Sequence, residues 1–527
     1  MRKILVCVSL AALVVAGCDV IQSGGAATEA AKIDREMVTP QDLKAAVSDE
    51  RVKAFYAARG WQPVWTEDMA GKLEAAFRDA ERHAINPQGF LKHAREGATA
   101  ADREAGLTLA ALDYGQALAG GMVDPTKIYE VYEVTRPKVD LRAGFAAAVD
   151  SGEIGPWLAS LAPADAEYRA LSDAYLAYRQ RAAGQARAEA IPAGGKIERG
   201  DSDKRLAAIV ASLRSNGYLA VPAPPPKPQA DKGKQPAKQA APPPAPTAYT
   251  AELSEAVSRL QADYGIKPDG VIGDDTIEAL NMGPVERARV LAVNLERRRW
   301  LDRRPAADRI DVNTAAAVLN YWRGGTLADT RRVVVGQPDW ETPELASPLT
   351  RLVANPPWTI PETIAEEEII PKGAAYMAAE NIDRKNGRLV QESGPKSALG
   401  LVKFDMANKH QIYLHDTPAK ALFASSERHS SHGCARVEDA LGFARMIASD
   451  QGLSESFEKA LAKGEETPVE LKKQIPVRLL YHTAYWDGGR VLFRTDPYGW
   501  DDKLAAALGL GGQVRSRVRK KIEDVGP

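Results

Sequence analysis

The stretch His429 to Asp439, "HSSHGCARVED", gathers two of the chain's seven histidines and one of its three cysteines into six residues. Three chemistries fit such a cluster. A zinc site could draw on His429, His432, Cys434 and His415, but there is no second cysteine near the cluster, no familiar ligand spacing and no matching carboxylate signature. A structural cysteine would pack as a small hydrophobe, yet apolar burial asks for neither the adjacent Gly433 nor several polar histidine neighbours. A cysteine nucleophile needs a base within reach and a setting that favours the thiolate. The segment after the thiol, "ARVEDALGFARMI", has an apolar stripe at Val437, Ala440, Leu441, Ala444 and Ile447, with Glu438 and Asp439 placed for a first turn. That spacing predicts a helix starting at or near Cys434, whose N-terminus would lower the thiol pKa and offer backbone N–H groups to an oxyanion. Gly433 lets the chain turn and a substrate approach closely. Two bases are in contention. His432 lies two residues from the thiol, and His415 sits in "QIYLHDTP", where strand alternation puts Tyr413 and His415 on one face and Ile412 and Leu414 on the other.

The elements that must hold these residues follow from composition and pattern. With 527 residues, 45% apolar and 26% charged, the chain has globular composition and length for about two to four domains. A formal net charge of -1 with interspersed signs gives no electrostatic footprint for nucleic acid. Residues 43–200 begin with Ala, Leu, Glu and Arg at helical spacing, including a predicted helix from Met69 to His83, with Trp61 and Trp65 as core candidates. From 201 the pattern gives three short helices: one with Ser202 as N-cap and Leu206, Ile209, Val210 and Leu213 on its apolar face, a second carrying Leu253, Ala256, Val257 and Leu260, and a third starting near Asp275. A Pro-rich segment, 221–249, lies between the first two and cannot form a core. Past Leu291 the pattern turns to strands, "RIDVNTAAAVLNYW" and "TRRVVVGQ", and "VRLLYHTAYWDGGRVLFRTD" predicts a hairpin turning at Asp487-Gly488-Gly489. Between strands lies a segment of about 359–395 with no strand pattern, a candidate lid.

At the N-terminus, Arg2 and Lys3 precede an apolar run from Ile4 to Val15 that ends in Val15-Ala16-Gly17-Cys18. This reads as an export signal over 1–17, and the tetrapeptide resembles a bacterial lipobox, which implies acylation of Cys18, a tether over 18–42 and a periplasmic, membrane-anchored protein. By resemblance to the lipoprotein sorting rule, Asp19 favours the inner membrane. Removal of Cys7 and lipidation of Cys18 would leave Cys434 as the single thiol of the exported part, and an unpaired thiol in an oxidising compartment points to a use for its reactivity.

Two resemblances then join these readings. "LSEAVSRLQADYGIKPDGVIGDDTIEALN", with Gly265, Asp269, Gly270 and Gly273, resembles the three-helix peptidoglycan-binding domain of bacterial wall hydrolases. "IYLHDTPAKALFASSERHSSHGCARVEDA" resembles the signature of the L,D-transpeptidase (YkuD-type) catalytic domain, in the large subgroup with a helical scaffold and a capping insertion. The resemblance implies a multidomain α+β protein: a helical scaffold (43–200), a wall-binding module (201–285), a mainly β catalytic domain (290–500) and a C-terminal tail (501–527). It assigns Cys434 as nucleophile, His415 as general base and acid, and the Gly433 and Cys434 backbone to the oxyanion. Ser431, Arg436, Tyr413, Arg428 and Asn408 match supporting positions. His432 would orient the site or be exposed, and His429 would lie at the surface. The implied reaction is a 3→3 cross-link between peptidoglycan stem peptides through a cysteine thioester, with no metal or organic cofactor and with susceptibility to carbapenems. The same thioester could serve hydrolysis, D-amino-acid exchange or protein attachment, and a silent wall-binding lipoprotein is the reading of another class. The implied partners are stem peptides and glycan, the membrane through the lipid, and other wall-synthesis proteins.

Overall fold

The computed structural model describes residues 33, 35–95, 97–184, 189–220 and 248–512. The export signal, Cys18, the tether to residue 32, the Pro-rich segment 221–247 and the end of the chain from 513 lie outside the described residues. Among the described residues no helix is long and apolar enough to cross a membrane.

The N-terminal helices form one core around Ala100–Gly120, a 21-residue helix buried along most of its length. Its start is fixed by a capping box in which Thr99 and Asp102 satisfy each other's backbone N–H. Trp65 is fully buried in this core and Trp61 packs at its edge. The predicted Met69–His83 helix is an α-helix, Glu67–Arg78, continued by a 3-10 turn to His83. A short strand, β1 (Tyr132–Glu133), leaves this region to join the sheet of the C-terminal half.

The three expected helices of the second unit are Leu206–Ser215, Ala251–Asp263 and Asp274–Leu280. The first is not capped by Ser202. Arg205 precedes it in helical conformation, and Asp203 accepts from the Arg205 backbone N–H instead. Buried Gln261 pins the Pro268-Asp269-Gly270 turn by accepting from Gly270 N and donating to Val271 O.

The expected shift to strands past Leu291 comes later than the sequence suggests. Helix Pro284–Arg299 runs through that point, and the next strand begins at Arg309. Pro284 occupies its first turn, where the missing N–H costs nothing. This helix is buried on nearly all sides because three parts of the chain pack on it. Arg287 lies among the rings of Tyr178, Tyr218, Tyr264 and Phe493, each centroid 5.1–5.5 Å away. Those rings come from the scaffold, the three-helix unit and the late hairpin, so one guanidinium ties three segments together.

The C-terminal half opens with β2 (Arg309–Asn313), β3 (Val318–Arg323), β4 (Thr326–Gly336) and β5 (Glu344–Ala354). An insertion follows, with β6 (Trp358–Thr359), β7 (Ile382–Lys385) and β8 (Arg388–Gln391) forming their own sheet in the order β6-β8-β7. The expectation of a segment without strands is thus corrected. Asn386-Gly387, both at positive φ, is the turn of the β7–β8 hairpin, a signal present in the sequence. The main sheet resumes with β9 (Val402–Met406), β10 (Leu414–His415), β11 (His429–Ser431), β12 (Ala435–Val437) and β13 (Thr467–Leu480). Its order β5-β13-β2-β3-β4-β12-β10-β9 closes on itself through β9–β5 pairing, so the strands form a barrel without free edges. Inside, Leu352, Phe404, Leu414, Ala435 and Val477 meet Phe443 and Ile447 of helix Ala440–Asp450.

The late hairpin, β14 (Ala484–Trp486) with β15 (Val491–Phe493), turns where expected, with Asp487 accepting from Gly489 N and Arg490 N. Val477–Leu480 of the same sequence run belong to β13 in the barrel. The beginning of the expected tail is a helix, Trp500–Ala507, whose Asp501 is buried against Arg297 at 2.5 Å. Thr483 and Asn294 extend this network. Both charged side chains are 1% exposed, so neither can be left alone without a large desolvation cost. Asp501→Ala is expected to lower unfolding free energy by about 3–5 kcal/mol. Loss of the half-exposed Arg445–Glu458 pair is expected to cost about 1 kcal/mol or less. Urea denaturation of the two variants checks both values.

Candidate functional site

The site is built on three adjacent barrel strands. β10 runs parallel to β12 with Leu414 beside Ala435 and His415 beside Arg436, and antiparallel to β9 with His415 beside Lys403. Strand alternation sends Leu414, Ala435 and Phe404 into the barrel and leaves His415, Arg436 and Lys403 in one row on its outer face. One step back in the same register Tyr413 lies beside Cys434, and Ala435 N donates to Tyr413 O at 3.1 Å. The expected shared face of Tyr413 and His415 is present, with the two rings edge-on at 5.7 Å.

Cys434 is a free thiol, 5% exposed. Its sulfur donates to the Gln411 carbonyl at 3.7 Å, and the neighbouring Tyr413 favours the thiolate. The predicted helix start at the thiol is corrected: Cys434 leads into strand β12, and the helix begins at Ala440 with Asp439 as its N-cap. Val437, counted in the helical stripe, pairs with Val333 of β4. No macrodipole therefore acts on the sulfur, and burial pushes its pKa up to about 11 despite the Tyr413 hydrogen bonds and the charges of Lys403 and Arg436. In this state Cys434 rests as a thiol.

His415 is fully buried. Its Nδ1 faces the carbonyl of Asp416, which can only accept, so Nδ1 carries the proton and Nε2 presents a lone pair. Among the described residues Nε2 has no hydrogen-bond partner. Burial first, then the nearby Arg436, Lys403 and Lys420 charges, lowers the His415 pKa to about 3. The Asp416 carbonyl is held in turn: its carboxylate accepts from Leu401 N and pairs with Lys420. Gly400 is required there, since a Cβ would fall 2.4 Å from the Asp416 carboxylate and its φ is +60°.

The loop before the thiol is closed by short polar contacts. Ser431 Oγ donates to Cys434 O at 2.6 Å and accepts from Gly433 N at 3.3 Å, while Thr342 Oγ1 donates to Gly433 O at 2.8 Å. Gly433 has φ +111°, a conformation closed to other residues without strain. Arg436, 1% exposed, lies in the His415 row. Asn408 closes the 408–412 loop by bonding Ile412 O and N, which sets the Gln411 carbonyl facing the sulfur. Arg428 serves elsewhere, donating to the carbonyls of Val333, Ser425, Ala316 and Ala317 at the strand ends.

His429 is placed differently from expectation, and of the two expectations for His432 exposure is the one that fails. His432 is not exposed: its side chain is 2% accessible, with Nε2 2.7 Å from Glu368 and the ring edge-on to Trp340 at 5.0 Å. His429 is not a surface residue either, since Glu427 and the Thr314 carbonyl engage its two nitrogens and Tyr498 packs on its ring. The four residues weighed for zinc thus face separate partners, and among the described residues no group of three or more His, Cys, Asp or Glu converges on one point.

Sequence reading missed Thr342, Glu368, Lys403 and Gln411. Gln411 takes φ +57°, a conformation its residue type does not announce. The others reach the site from sequence-distant segments.

Residues 307–471 match the YkuD family, described as "L,D-transpeptidase catalytic domain", residues 50–175 match a "Scaffold domain", and residues 236–280 match a "Putative peptidoglycan binding domain". A Haemophilus influenzae protein named "Putative L,D-transpeptidase" is 33% identical over 222 residues, covering 38% of this chain and 45% of that relative. The chain spans less than half the length of this curated relative. Two solved structures are also similar at 13% identity. One is an L,D-transpeptidase (Yku) from Stackebrandtia nassauensis, with 54% of this chain and 94% of that chain covered and a TM-score of 0.22. The other is the Ldtfm-avibactam carbamoyl enzyme, with 33% and 49% covered and a TM-score of 0.19. At such TM-scores neither likeness bears on this chain's chemistry.

The shifted pKa values carry signs that can be measured. His415 stays unprotonated from about 6.5 down to about 3 while the unfolded chain takes up a proton, so its contribution is lost as pH falls across that window. Cys434 keeps its proton from about 9 up to about 11 while the unfolded chain loses one, so stability falls as pH rises there. His415→Gln is expected to flatten the acid limb of the stability–pH curve, and Cys434→Ser the alkaline limb. Denaturant midpoints from pH 4 to pH 10.5 check this.

Proposed function

We propose that the L,D-transpeptidase catalytic domain carried by this chain acts on peptidoglycan as a cysteine acyltransferase that makes 3→3 cross-links. The observation that carries this reading is a free, buried thiol two residues before Arg436, the register partner of His415, together with a neutral imidazole whose Nε2 has no hydrogen-bond partner among the described residues; in this state the thiol donates to the Gln411 carbonyl. The proton on Cys434 Sγ passes to His415 Nε2 as the sulfur attacks the carbonyl carbon of the third residue, a diamino acid, in a tetrapeptide stem. The charge developing on the carbonyl oxygen is met by the Gly433 and Cys434 N–H groups, Gly433 exchanging its long bond to Ser431. The C–N bond to the terminal D-Ala breaks, its amine takes the proton from His415, and a thioester remains. The side-chain amine of a second stem then attacks the thioester, forming the amide and returning the proton to the sulfur. The raised thiol pKa and depressed imidazole pKa suit a proton transfer made during attack rather than a standing ion pair.

His415 rather than His432 is assigned as base because the His432 Nε2 is engaged by Glu368. The insertion, roughly 359–395, roofs the site, and Tyr413 packs beneath its apolar core. Excluding water there favours the amine over hydrolysis. The three-helix unit is the proposed wall-binding module. Acylation of Cys18 would hold the protein at the periplasmic face of a membrane, a proposal that rests on the sequence of residues 1–19.

Muropeptides from sacculi treated with the protein are expected to contain 3→3 linked dimers with the wild type and none with Cys434→Ala. A carbapenem is expected to add its mass to the wild type alone. His415→Ala is expected to abolish thioester formation and His432→Ala to weaken it. Loss in His432→Ala alone would reverse the assignment of the base, and tripeptides without dimers would reassign the activity to hydrolysis.

A further inference from the structure

The insertion does more than cover the thiol, because it supplies a side chain to the loop that carries the thiol. Glu368 lies on a π-helical turn, Ala365–Ile369, held between buried Ile364 and Ile369 of the insertion's own core. Single π turns concentrate where a side chain must be aimed at a function. Glu368 Oε1 meets His432 Nε2 at 2.7 Å, 64 residues away in sequence and two residues before Cys434. The other side of the imidazole rests on Trp340, in the β4–β5 connection. That connection also carries Thr342, which holds Gly433 O. The segment Ser431–Cys434 is therefore fixed from three directions: by Ser431 internally, by Trp340 and Thr342 from the barrel, and by Glu368 from the insertion.

We infer that Glu368 is a positioning residue that acts through His432, so that closing the insertion and setting the Gly433-Cys434 backbone for oxyanion binding are one event. The step that matters for rate rests on the acyl-transfer reading above; the geometric coupling does not. Closure by substrate then completes the site, and an open insertion leaves the nucleophile reachable by small reagents but poorly aligned for the stem. Neighbouring Glu366, exposed on the same turn, has no such role.

The test is a double-variant cycle on the full chain read by two probes. Iodoacetamide alkylation of Cys434 reports access to the thiol whatever the natural substrate is, and tetrapeptide acylation reports alignment. Glu368→Gln and His432→Asn are each expected to speed alkylation on the order of tenfold and to slow acylation kcat by a similar factor. The double variant should add nothing further to alkylation, Glu368→Asp should recover part of the wild-type behaviour, and Glu366→Gln should match the wild type. Unchanged alkylation in Glu368→Gln, or gains that multiply in the double variant, would overturn the coupling. If the wild type alkylates as described but the tetrapeptide never acylates it, the substrate reading fails while the coupling is still decided by alkylation.

Discussion

The proton on His415 Nδ1 is fixed by a carbonyl that can only accept, and this single bond decides what the site can do. It leaves Nε2 as a lone pair in a place sealed from water. Burial and the flanking cations keep that lone pair unprotonated at neutral pH. On the proposed acyl-transfer reading, a thiol held at high pKa needs a base already in the acceptor form, and the two shifts complement each other.

Much of the molecule secures that arrangement. The β9-β10-β12 register puts Lys403, His415 and Arg436 in one row, and closure of the barrel prevents slippage, since a one-residue shift would turn His415 inward. The scaffold contributes too. Its β1 pairs with β5, and Glu133 binds Lys409 and His410 in the loop that presents the Gln411 carbonyl to the sulfur. Helix Pro284–Arg299 joins scaffold, three-helix unit and barrel through buried charge, with Arg297 on Asp501 and Arg287 inside four aromatic rings. Buried ion pairs of this kind add little net stability but penalise any arrangement that separates them. They suit a junction that must hold one geometry.

How much was legible in the sequence depended on how local each signal was. Helices with a long 3.6-residue period, such as Ala251–Asp263, were readable, as was the Asp487-Gly488-Gly489 turn. The stretch after Cys434 misled because Ala435–Val437 is too short to separate a two-residue period from a helical one, and Val437 fits both. The β7–β8 hairpin was announced by Asn386-Gly387 but lay among prolines that read as loop. Cys434 and His415 were singled out by residue type and family resemblance. The tautomer of His415 was not, because it depends on the Asp416 backbone. Nor was the burial of His429 and His432, because Tyr498 and Glu368 come from 69 and 64 positions away. Contacts across such separations leave no periodic trace.

The claim at the centre of this account is that His415 is a neutral Nδ1–H imidazole whose Nε2 accepts the Cys434 proton. Histidine-selective nitrogen-15 NMR of the wild type at pH 7, with the signal assigned by its loss in His415→Gln, reads this directly. The account predicts a protonated Nδ1 and an unprotonated Nε2 for His415, unchanged down to pH 5. An Nε2–H tautomer, or a doubly protonated ring at neutral pH, would contradict it.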